Sequence, residues 1–258
     1  MTVDNAIPLV VKVEQPSAGV GLVTMNRPEK RNALNPALMD ALAAAVIQLD
    51  KDPQIRVIVV TGAGTAFSAG HDLDDIKRSS ATLGSADRLA KLKHEVDCLM
   101  TVRTVLTPVI AAVNGAARGG GMGLAAACDF RVASQSATFG TQFVNLGFSA
   151  GEAGLSWTLP RLLGTGVALK LMLAGETIGA QEAYRIGLVE EVVSDERLLD
   201  EALRLAELIS SHDRHALRVT KDAVLSSLAL PFAEAVDYES ETALTTFVVN
   251  SDAGNEET

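Results

Sequence analysis

The fold is decided by residues 113–129, which read Val-Asn-Gly-Ala-Ala-Arg-Gly-Gly-Gly-Met-Gly-Leu-Ala-Ala-Ala-Cys-Asp. The apolar run at 109–113 predicts a buried strand, and an Asn-Gly turn follows it. The small residues after the three glycines predict a tightly packed helix. Each glycine costs a helix roughly 1 kcal/mol relative to alanine, so three in its first turn need a reason. Because glycine has no Cβ atom, the free N–H groups of the helix N-terminus can approach a ligand oxygen closely.

The bulk composition predicts a compact acidic protein. The chain has 258 residues, which suits one large domain or a domain with a small appendage, and 48% of them are hydrophobic. Aromatic residues make up only 4%, so the core is expected to pack backbones closely. The formal net charge is −10, which argues against nucleic acid or an anionic membrane as the main partner.

The two cysteines, Cys98 and Cys128, stand in apolar contexts and belong to no CxxC or Cys/His spacing motif. We therefore expect no metal site, and free thiols of this kind fit a reducing compartment. Residues 1–9 lack the pattern of a signal peptide. Asn114 and Arg118 interrupt the longest apolar stretch, so no membrane span is expected. Together these features predict a cytoplasmic protein.

Alternating strand and helix patterns precede a tail that is helical throughout, which predicts an α/β core with a helical C-terminal subdomain. Asn35-Pro36 is a strong helix start and Asp52-Pro53 a strong helix end. Residues 15–19 are expected to form a turn and residues 251–258 to be disordered. Strands are predicted at 7–13, 20–25, 56–61, 109–113, 129–133 and 188–193. Helices are predicted at 86–103, 155–163, 167–173 and 180–186. Three more are predicted from 195 onward, the second at 214–228 and the third from about 231.

Glycines also follow the strand at 56–61, but they do not form a dinucleotide-binding fingerprint. A GxGxxG pattern that starts at Gly62 would need glycine where Phe67 stands.

Four segments in order resemble the crotonase superfamily, the enoyl-CoA hydratase/isomerase fold. They are NRPEKRNAL (26–34), AFSAGHDL (66–73), VNGAARGGGMGLAAACDFRVAS (113–134) and ATFG…LPRLLG (137–164). The resemblance covers nearly the whole chain and implies an α/β, ClpP-like spiral of ββα turns. It also implies a spiral core over 1–194 with the CoA site, a helical trimerisation region over 195–258, and a homotrimer or a dimer of trimers.

The resemblance further implies an acyl-CoA thioester as substrate, with coenzyme A as part of the substrate and no tightly bound cofactor. By motif position, the backbone N–H groups of His71 and Gly120 would form an oxyanion hole. A thioester carbonyl gains negative charge as it becomes an enolate, and one fixed donor is typically worth about 3–4 kcal/mol to such a charge.

The same motifs suggest further contacts to CoA or to the acyl group. Lys30 and Arg31 are candidates for the CoA phosphates, although they would also suit a solvated loop. The roles of Arg118 and of the His71 ring stay open. The remaining candidates are Ala33, Ala69, Asp72, Leu73 and Phe143.

The chain departs from the hydratase pattern at both glutamates that flank the substrate, because Gly123 and Phe143 stand in their places. Neither residue can transfer a proton. Aligned on residues 159–164, Glu152 matches an aspartate that dienoyl-CoA isomerases and 4-chlorobenzoyl-CoA dehalogenases use. Dehalogenases also use a helix histidine, and Val96 stands in that place. His94 lies roughly 200° away around the helix.

We therefore expect Glu152 to be the catalytic acid/base, with its pKa raised if Phe143, Phe148 and Trp157 bury it. Double-bond isomerisation is the favoured chemistry, and ordinary hydration is chemically weaker. Two alternatives stay open: a CoA-thioester-binding scaffold with little turnover, and a hydrolase or dehalogenase that uses Glu152 as a nucleophile.

Overall fold

Two β-sheets form the centre of the computed structural model, which describes the backbone of residues 10–253 and the side chains of residues 10–247. The larger sheet contains β1 (Val11–Ser17), β2 (Val20–Met25), β3 (Val57–Gly62), β5 (Val109–Val113), β7 (Phe130–Ser134) and β10 (Glu191–Val193), in that order. The smaller sheet contains β4 (Ala66–Ser68), β6 (Ala116–Arg118), β8 (Thr138–Gly140) and β9 (Ile178–Gly179), also in that order.

Ten helices cover these sheets within the described residues. They are α1 (Pro36–Lys51), α2 (Leu73–Thr82), α3 (Ser85–Thr104), α4 (Gly120–Ala127), α5 (Leu155–Leu163), α6 (Thr165–Ala174), α7 (Ala180–Arg185), α8 (Leu198–Ser210), α9 (Arg214–Ser227) and α10 (Phe232–Ala253).

The chain winds as a spiral in which one strand of each sheet is followed by helix. β3 leads to β4 and then α2, β5 leads to β6 and then α4, and β7 leads to β8 and then α5. β2, β3, β5, β7 and β10 are parallel, as are β4, β6 and β8, whereas β1 and β9 are antiparallel to their neighbours. Each turn therefore places the end of a small-sheet strand beside the start of a helix.

Strands β2, β3 and β5 of the larger sheet are buried on both faces, which explains why they are almost continuously apolar. One face, with Ile58 and Val60, packs in the main core together with α1, α3 and α4. The other face, with Val57 and Val59, packs against Ala202 and its neighbours on α8.

Several sequence predictions are confirmed at the level of elements. α1 begins at Pro36, and the Asn35 side chain accepts a hydrogen bond from the Leu38 amide at 2.9 Å. It ends at Lys51 with Asp52 as its C-cap. β2, β5 and α5 have the predicted bounds, and the remaining predicted strands and helices shift by a few residues.

The first strand is a correction. It covers Val11–Ser17, so most of the predicted turn at 15–19 is extended, and the chain reverses at Ala18 and Gly19, where Gly19 has φ +81°. Pro16 is tolerated because β1 is an edge strand.

Five elements were absent from the sequence prediction, namely α2, β4, β6, β8 and β9. α2 has few apolar residues to produce a helical stripe, and β6 has only three residues. The expected disorder at 251–258 is wrong for residues 251–253, which belong to α10. Residues 254–258 lie outside the described residues, as does the expectation for residues 1–9.

None of the helices in the described part of the chain has the length and apolar character needed to cross a membrane.

Candidate active site

A cavity of about 400 Å³ opens where the loop after β4, the loop after β6 and the helices α2 and α3 meet. Of the residues selected from the sequence, it is lined by Ala69, His71, Leu73, Phe143 and Glu152. Apolar side chains form most of its wall, and the charged groups in the lining are Arg88, Lys91, Glu95, Arg118 and Glu152, together with His71 if protonated.

The backbone N–H groups of His71, which lines this cavity, and of Gly120 donate to no acceptor among the described residues. Leu34 forms a single β-bridge around His71: its amide donates to the Gly70 carbonyl and its carbonyl accepts from Asp72, both at 2.8 Å. This bridge leaves the His71 amide free. Gly120 is the first residue of α4, where amides have no acceptor within the helix.

The loop after β4 and the loop after β6 are in close contact, and this contact requires glycine. Gly70 has φ +86°, and a Cβ atom there would lie 2.7 Å from the Arg118 carbonyl oxygen. A Cβ atom on Gly120 would lie 3.0 Å from Cε1 of the His71 ring. The glycines therefore let the two loops approach closely and place Gly120 against the ring of His71, which lines the cavity.

The position of the missing first glutamate, Gly123, is filled by a neighbouring loop. A Cβ atom on Gly123 would lie 2.5 Å from the Ala153 carbonyl oxygen and 2.8 Å from its Cβ atom. Ala153 itself has a left-handed backbone with φ +51°, followed by Gly154 with φ +72°. The loop thus occupies the space that a side chain at 123 would need, and it carries Glu152 to the cavity.

The half-buried Glu152 carboxyl has a raised pKa. Burial is the main cause, the charge of Glu95 adds to it, and the charge of His71 opposes it. Burial disfavours the ionised form because water solvates the charge better than the protein does.

The expected surroundings of Glu152 are correct for two aromatic residues and wrong for the third. Phe143 and Phe148 line the cavity with it. Trp157 lies instead between the guanidinium groups of Arg103 and Arg161, which are 4.3 and 4.0 Å from its ring centre. Phe143 is buried, and its ring packs close to Gly119, where a Cβ atom would lie 3.4 Å from its Cζ.

A buried ion cluster on α3 was not found from the sequence. Glu95 is 5% exposed and pairs with Lys91, which also lies 2.8 Å from Asp75. The Glu95 carboxylate is 4.0 Å from His71 Nε2, a buried nitrogen with no hydrogen-bond partner in the described residues. The four-residue spacing of Lys91 and Glu95 was a usable signal, since it places opposite charges on one helix face.

The apolar stripe expected on α3 is only partly core. Leu99 is fully buried, whereas Leu89 and Leu92 are exposed, and Leu92 lines the cavity. The face of α3 that was expected to pack inside the protein therefore forms part of the cavity wall. His94 does not line the cavity, in agreement with its predicted orientation.

The cationic loop residues lie outside the cavity lining. Lys30 is exposed and pairs with Asp74 at 3.5 Å, and Arg31 is exposed with a left-handed backbone at φ +50°. Ala33 is buried. The Ala69 amide donates to the Arg31 carbonyl at 2.9 Å, so this loop is fastened directly to the cavity wall.

Asp72 has a structural role at the start of α2. Its carboxylate accepts from the Asp74 amide at 3.1 Å and pairs with Arg27 at 3.2 Å. Burial acts to raise its pKa, but these hydrogen bonds and the Arg27 charge outweigh burial and lower it. The helix cap therefore keeps Asp72 ionised.

Arg118 lines the cavity with one guanidinium nitrogen, Nη1, that is buried and has no partner among the described residues. Its Nη2 donates to Thr138 Oγ1 at 2.9 Å, and burial lowers the pKa of the group. The arrangement leaves a positive charge at the cavity wall without a carboxylate partner in the described part of the chain.

Cys98 lies in a Cys/His group in three dimensions, although its sequence spacing matches no such motif. His94 and Cys98 share one face of α3, and Asp40 of α1 meets them there. Spacing alone misses the group because its third member is 54 residues from His94 in the sequence.

Comparison with known proteins assigns a family to this fold and cavity. Residues 15–254 match the family described as enoyl-CoA hydratase/isomerase. A protein of Rhizobium meliloti named "probable enoyl-CoA hydratase" is 42% identical over 221 residues, which are 85% of this chain and 83% of the relative.

Two solved structures are also similar. A probable enoyl-CoA hydratase/isomerase from Mycobacterium abscessus has a TM-score of 0.86 and 37% identity, with 93% of this chain and 90% of that chain covered. A monofunctional enoyl CoA isomerase from M. smegmatis has a TM-score of 0.74 and 36% identity, with 88% and 97% covered. The expected spiral fold with a helical C-terminal part is confirmed. The chain belongs to the enoyl-CoA hydratase/isomerase family of the crotonase superfamily.

Proposed function

We propose that this protein isomerises the double bond of an enoyl-CoA thioester, with Glu152 as the single proton carrier. The observation that supports this most is the position of Glu152, a carboxyl with a raised pKa that lines the same cavity as His71. Gly123 and Phe143, where hydratases of the family carry glutamates, offer no acid.

The oxyanion hole in this proposal consists of the His71 and Gly120 N–H groups. The Glu152 carboxylate removes a proton from a carbon next to the double bond, and the electron pair moves onto the thioester oxygen to form a dienolate. The two N–H groups donate hydrogen bonds to that oxygen. Protonated Glu152 then returns the proton two carbons away, so the double bond moves and nothing is added or lost.

Several finer features belong to the same proposal. Coenzyme A enters as part of the substrate, and no tightly bound cofactor is needed. The loop with Lys30, Arg31 and Ala33 would hold the CoA moiety, while Ala69, Leu73 and Phe143 would contact the acyl end. Asp72 acts indirectly by holding the start of α2. We also propose a cytoplasmic homotrimer or dimer of trimers, with a spiral core over 1–194 and a trimerisation region over 195–258.

Replacement of one side chain tests the assignment. Glu152→Gln keeps the shape but cannot carry a proton, so we expect kcat for isomerisation to fall at least about 100-fold. The measurement is turnover of 2-enoyl- and 3-enoyl-CoA thioesters, with binding of the thioester measured separately. Glu207→Gln on the exposed face of α8 is the matched control and should leave kcat unchanged.

The outcomes separate the alternatives. Unchanged turnover by Glu152→Gln would show that another group carries the proton. Binding without turnover by the unmodified protein would favour a scaffold. A covalent adduct on Glu152 would favour a hydrolase or dehalogenase.

Hydration is a second candidate because Glu95 brings a second carboxylate to the cavity. With two carboxyl groups, one could position water while the other protonates the α-carbon. Reaction in ¹⁸O-labelled water distinguishes the two reactions, since hydration incorporates the label into a hydroxyacyl product and isomerisation does not.

A further inference from the structure

Three side chains with different metal-binding atoms meet where α1 packs against α3, away from the cavity. His94 Nε2 lies 2.7 Å from Asp40 Oδ1, and Cys98 Sγ lies 3.6 Å from the same oxygen and 3.7 Å from the same nitrogen. These three residues are called the α1/α3 cluster below. One nitrogen, one oxygen and one sulfur thus face a common point.

These separations are close to those of a tetrahedral zinc site. Zinc binds sulfur at about 2.3 Å and nitrogen or oxygen at about 2.0–2.2 Å. Tetrahedral angles then place sulfur about 3.6 Å from each lighter donor, and nitrogen about 3.4 Å from oxygen. Both sulfur distances fit already. The nitrogen and oxygen must separate by about 0.7 Å, and their side chains are 62% and 55% exposed, which gives them room to rotate.

Two packed helices hold the donors in place. His94 and Cys98 are four residues apart on α3 and so lie on one face. Cys98 is 7% exposed, which fixes the sulfur at the α1–α3 contact, while Asp40 projects from α1 at the rim. A site of this kind needs little rearrangement to bind an ion.

The local charge also favours a cation. Within the described residues, no lysine or arginine pairs with Asp40. Burial and the charges of Asp40, Asp97 and Glu95 raise the pKa of the Cys98 thiol to about 11. The ion-free thiol is therefore protonated at neutral pH, and a metal must displace that proton.

We propose that Asp40, His94 and Cys98 bind one Zn²⁺ ion, with water as the fourth ligand. Cys98 releases its proton to solvent as the sulfur–zinc bond forms, and His94 binds through neutral Nε2. The mixed N/O/S set selects zinc over magnesium or calcium, which prefer oxygen alone. The ion would tie α1 to α3, the helix that carries Lys91 and Glu95 in the cavity wall.

Cobalt replaces zinc as a spectroscopic probe in the experiment. The full chain, freed of any affinity tag and treated with a chelator, is titrated with Co²⁺. We expect one equivalent to produce a sulfur-to-cobalt charge-transfer band, which added Zn²⁺ abolishes and added Mg²⁺ does not. The band should be absent in Cys98→Ser and present in Cys128→Ala, which alters the other buried cysteine.

Asp40 and His94 are exposed, so substitutions at these two ligands should keep the fold. We expect Asp40→Asn and His94→Gln each to raise the Kd for Zn²⁺ at least about tenfold, because even residues that only support metal ligands have effects of this size. Zn²⁺ should raise the thermal midpoint of the unmodified protein and leave that of His94→Gln unchanged. No Zn²⁺ binding, cobalt binding without the sulfur band, or unchanged zinc affinity in His94→Gln would each overturn the proposal.

Discussion

The chemistry of single residues in the cavity is governed by their neighbours more than by their type. The sequence makes Glu152 the candidate acid/base, and its pKa is raised by burial and by the charge of Glu95. The motifs single out the His71 and Gly120 amides, and the ring of His71 lies against Gly120. They gave no information on Glu95, because its contact with His71 depends on how α3 lies against the loop after β4.

The raised pKa of Glu152 has a measurable kinetic consequence. A general base acts only when ionised, so kcat/KM should fall as the pH drops through that raised pKa, above the ordinary value of 4.5. Glu95→Gln removes a nearby negative charge and should move this acidic limb to lower pH. The measurement is the pH profile of kcat/KM for both proteins.

Glu207→Gln serves as the control for this profile and should leave the limb in place. If the acidic limb of the Glu95→Gln profile lies at the same pH or at a higher pH, the assigned charge interaction between Glu95 and Glu152 is contradicted.

At the scale of elements, α4 and the loop at 147–154 pack directly against each other. The loop lies against α4 because Gly123 has no side chain, and Glu152 reaches the cavity by that approach. Restoring a glutamate to the helix would therefore displace the loop.

Gly123→Glu should not create a hydratase. Its Cβ atom would collide with Ala153, so we expect a loss of about 1–3 kcal/mol in the free energy of unfolding. Turnover that depends on Glu152 should fall as well. Urea denaturation and the isomerase assay measure the two effects.

Gly166→Ala is a suitable control, because nothing lies within 4 Å of a Cβ atom built there. A fully stable Gly123→Glu protein that hydrates enoyl-CoA would show that the loop can move aside without a loss in the free energy of unfolding.

The elements also show how far the sequence alone leads. α1 was predictable from Asn35 and Pro36 because capping is local chemistry. α2 and β6 were not, because their short, weakly patterned segments are ordered by contacts with other parts of the chain. The motifs predict a role for the His71 and Gly120 amides, whereas the filling of the space beside Gly123 depends on a loop some thirty residues later.

At the scale of the whole molecule, a buried ion pair joins the C-terminal helix α9 to the spiral. Lys221 of α9 is buried, and its Nζ lies 2.6 Å from Asp129 Oδ2 and 3.2 Å from the Thr107 carbonyl oxygen. Asp129 stands directly before β7 and also accepts the Val109 amide at 2.7 Å. Burial raises the pKa of Asp129, and the Lys221 charge opposes that shift.

Removal of the Lys221 side chain should lower the stability of the whole protein. Lys221→Met leaves a buried carboxylate without its cation, and we expect a loss of about 3–5 kcal/mol in the free energy of unfolding. Addition of Asp129→Asn should recover part of that loss, since it removes the unpaired charge. Chemical denaturation of the single and double variants measures the coupling.

Lys170→Met, at an exposed position on α6, is the matched control and should change stability by less than about 0.5 kcal/mol. Equal stability of Lys221→Met and the unmodified protein would show that the Lys221–Asp129 pair does not hold α9 in place.

Ala153, with its left-handed backbone, belongs to the loop that carries Glu152. The position of this loop has a consequence for the regiochemistry of the proposed reaction. In the proposed reaction, the group that polarises the thioester and the group that carries the proton belong to separate segments of the chain. The length of the loop at 147–154 then decides which carbon of the acyl chain the proton reaches, while the activation of the carbonyl is unaffected. On this proposal, adding or removing one residue in the loop would shift the proton carrier along the acyl chain and leave the polarising amides where they are.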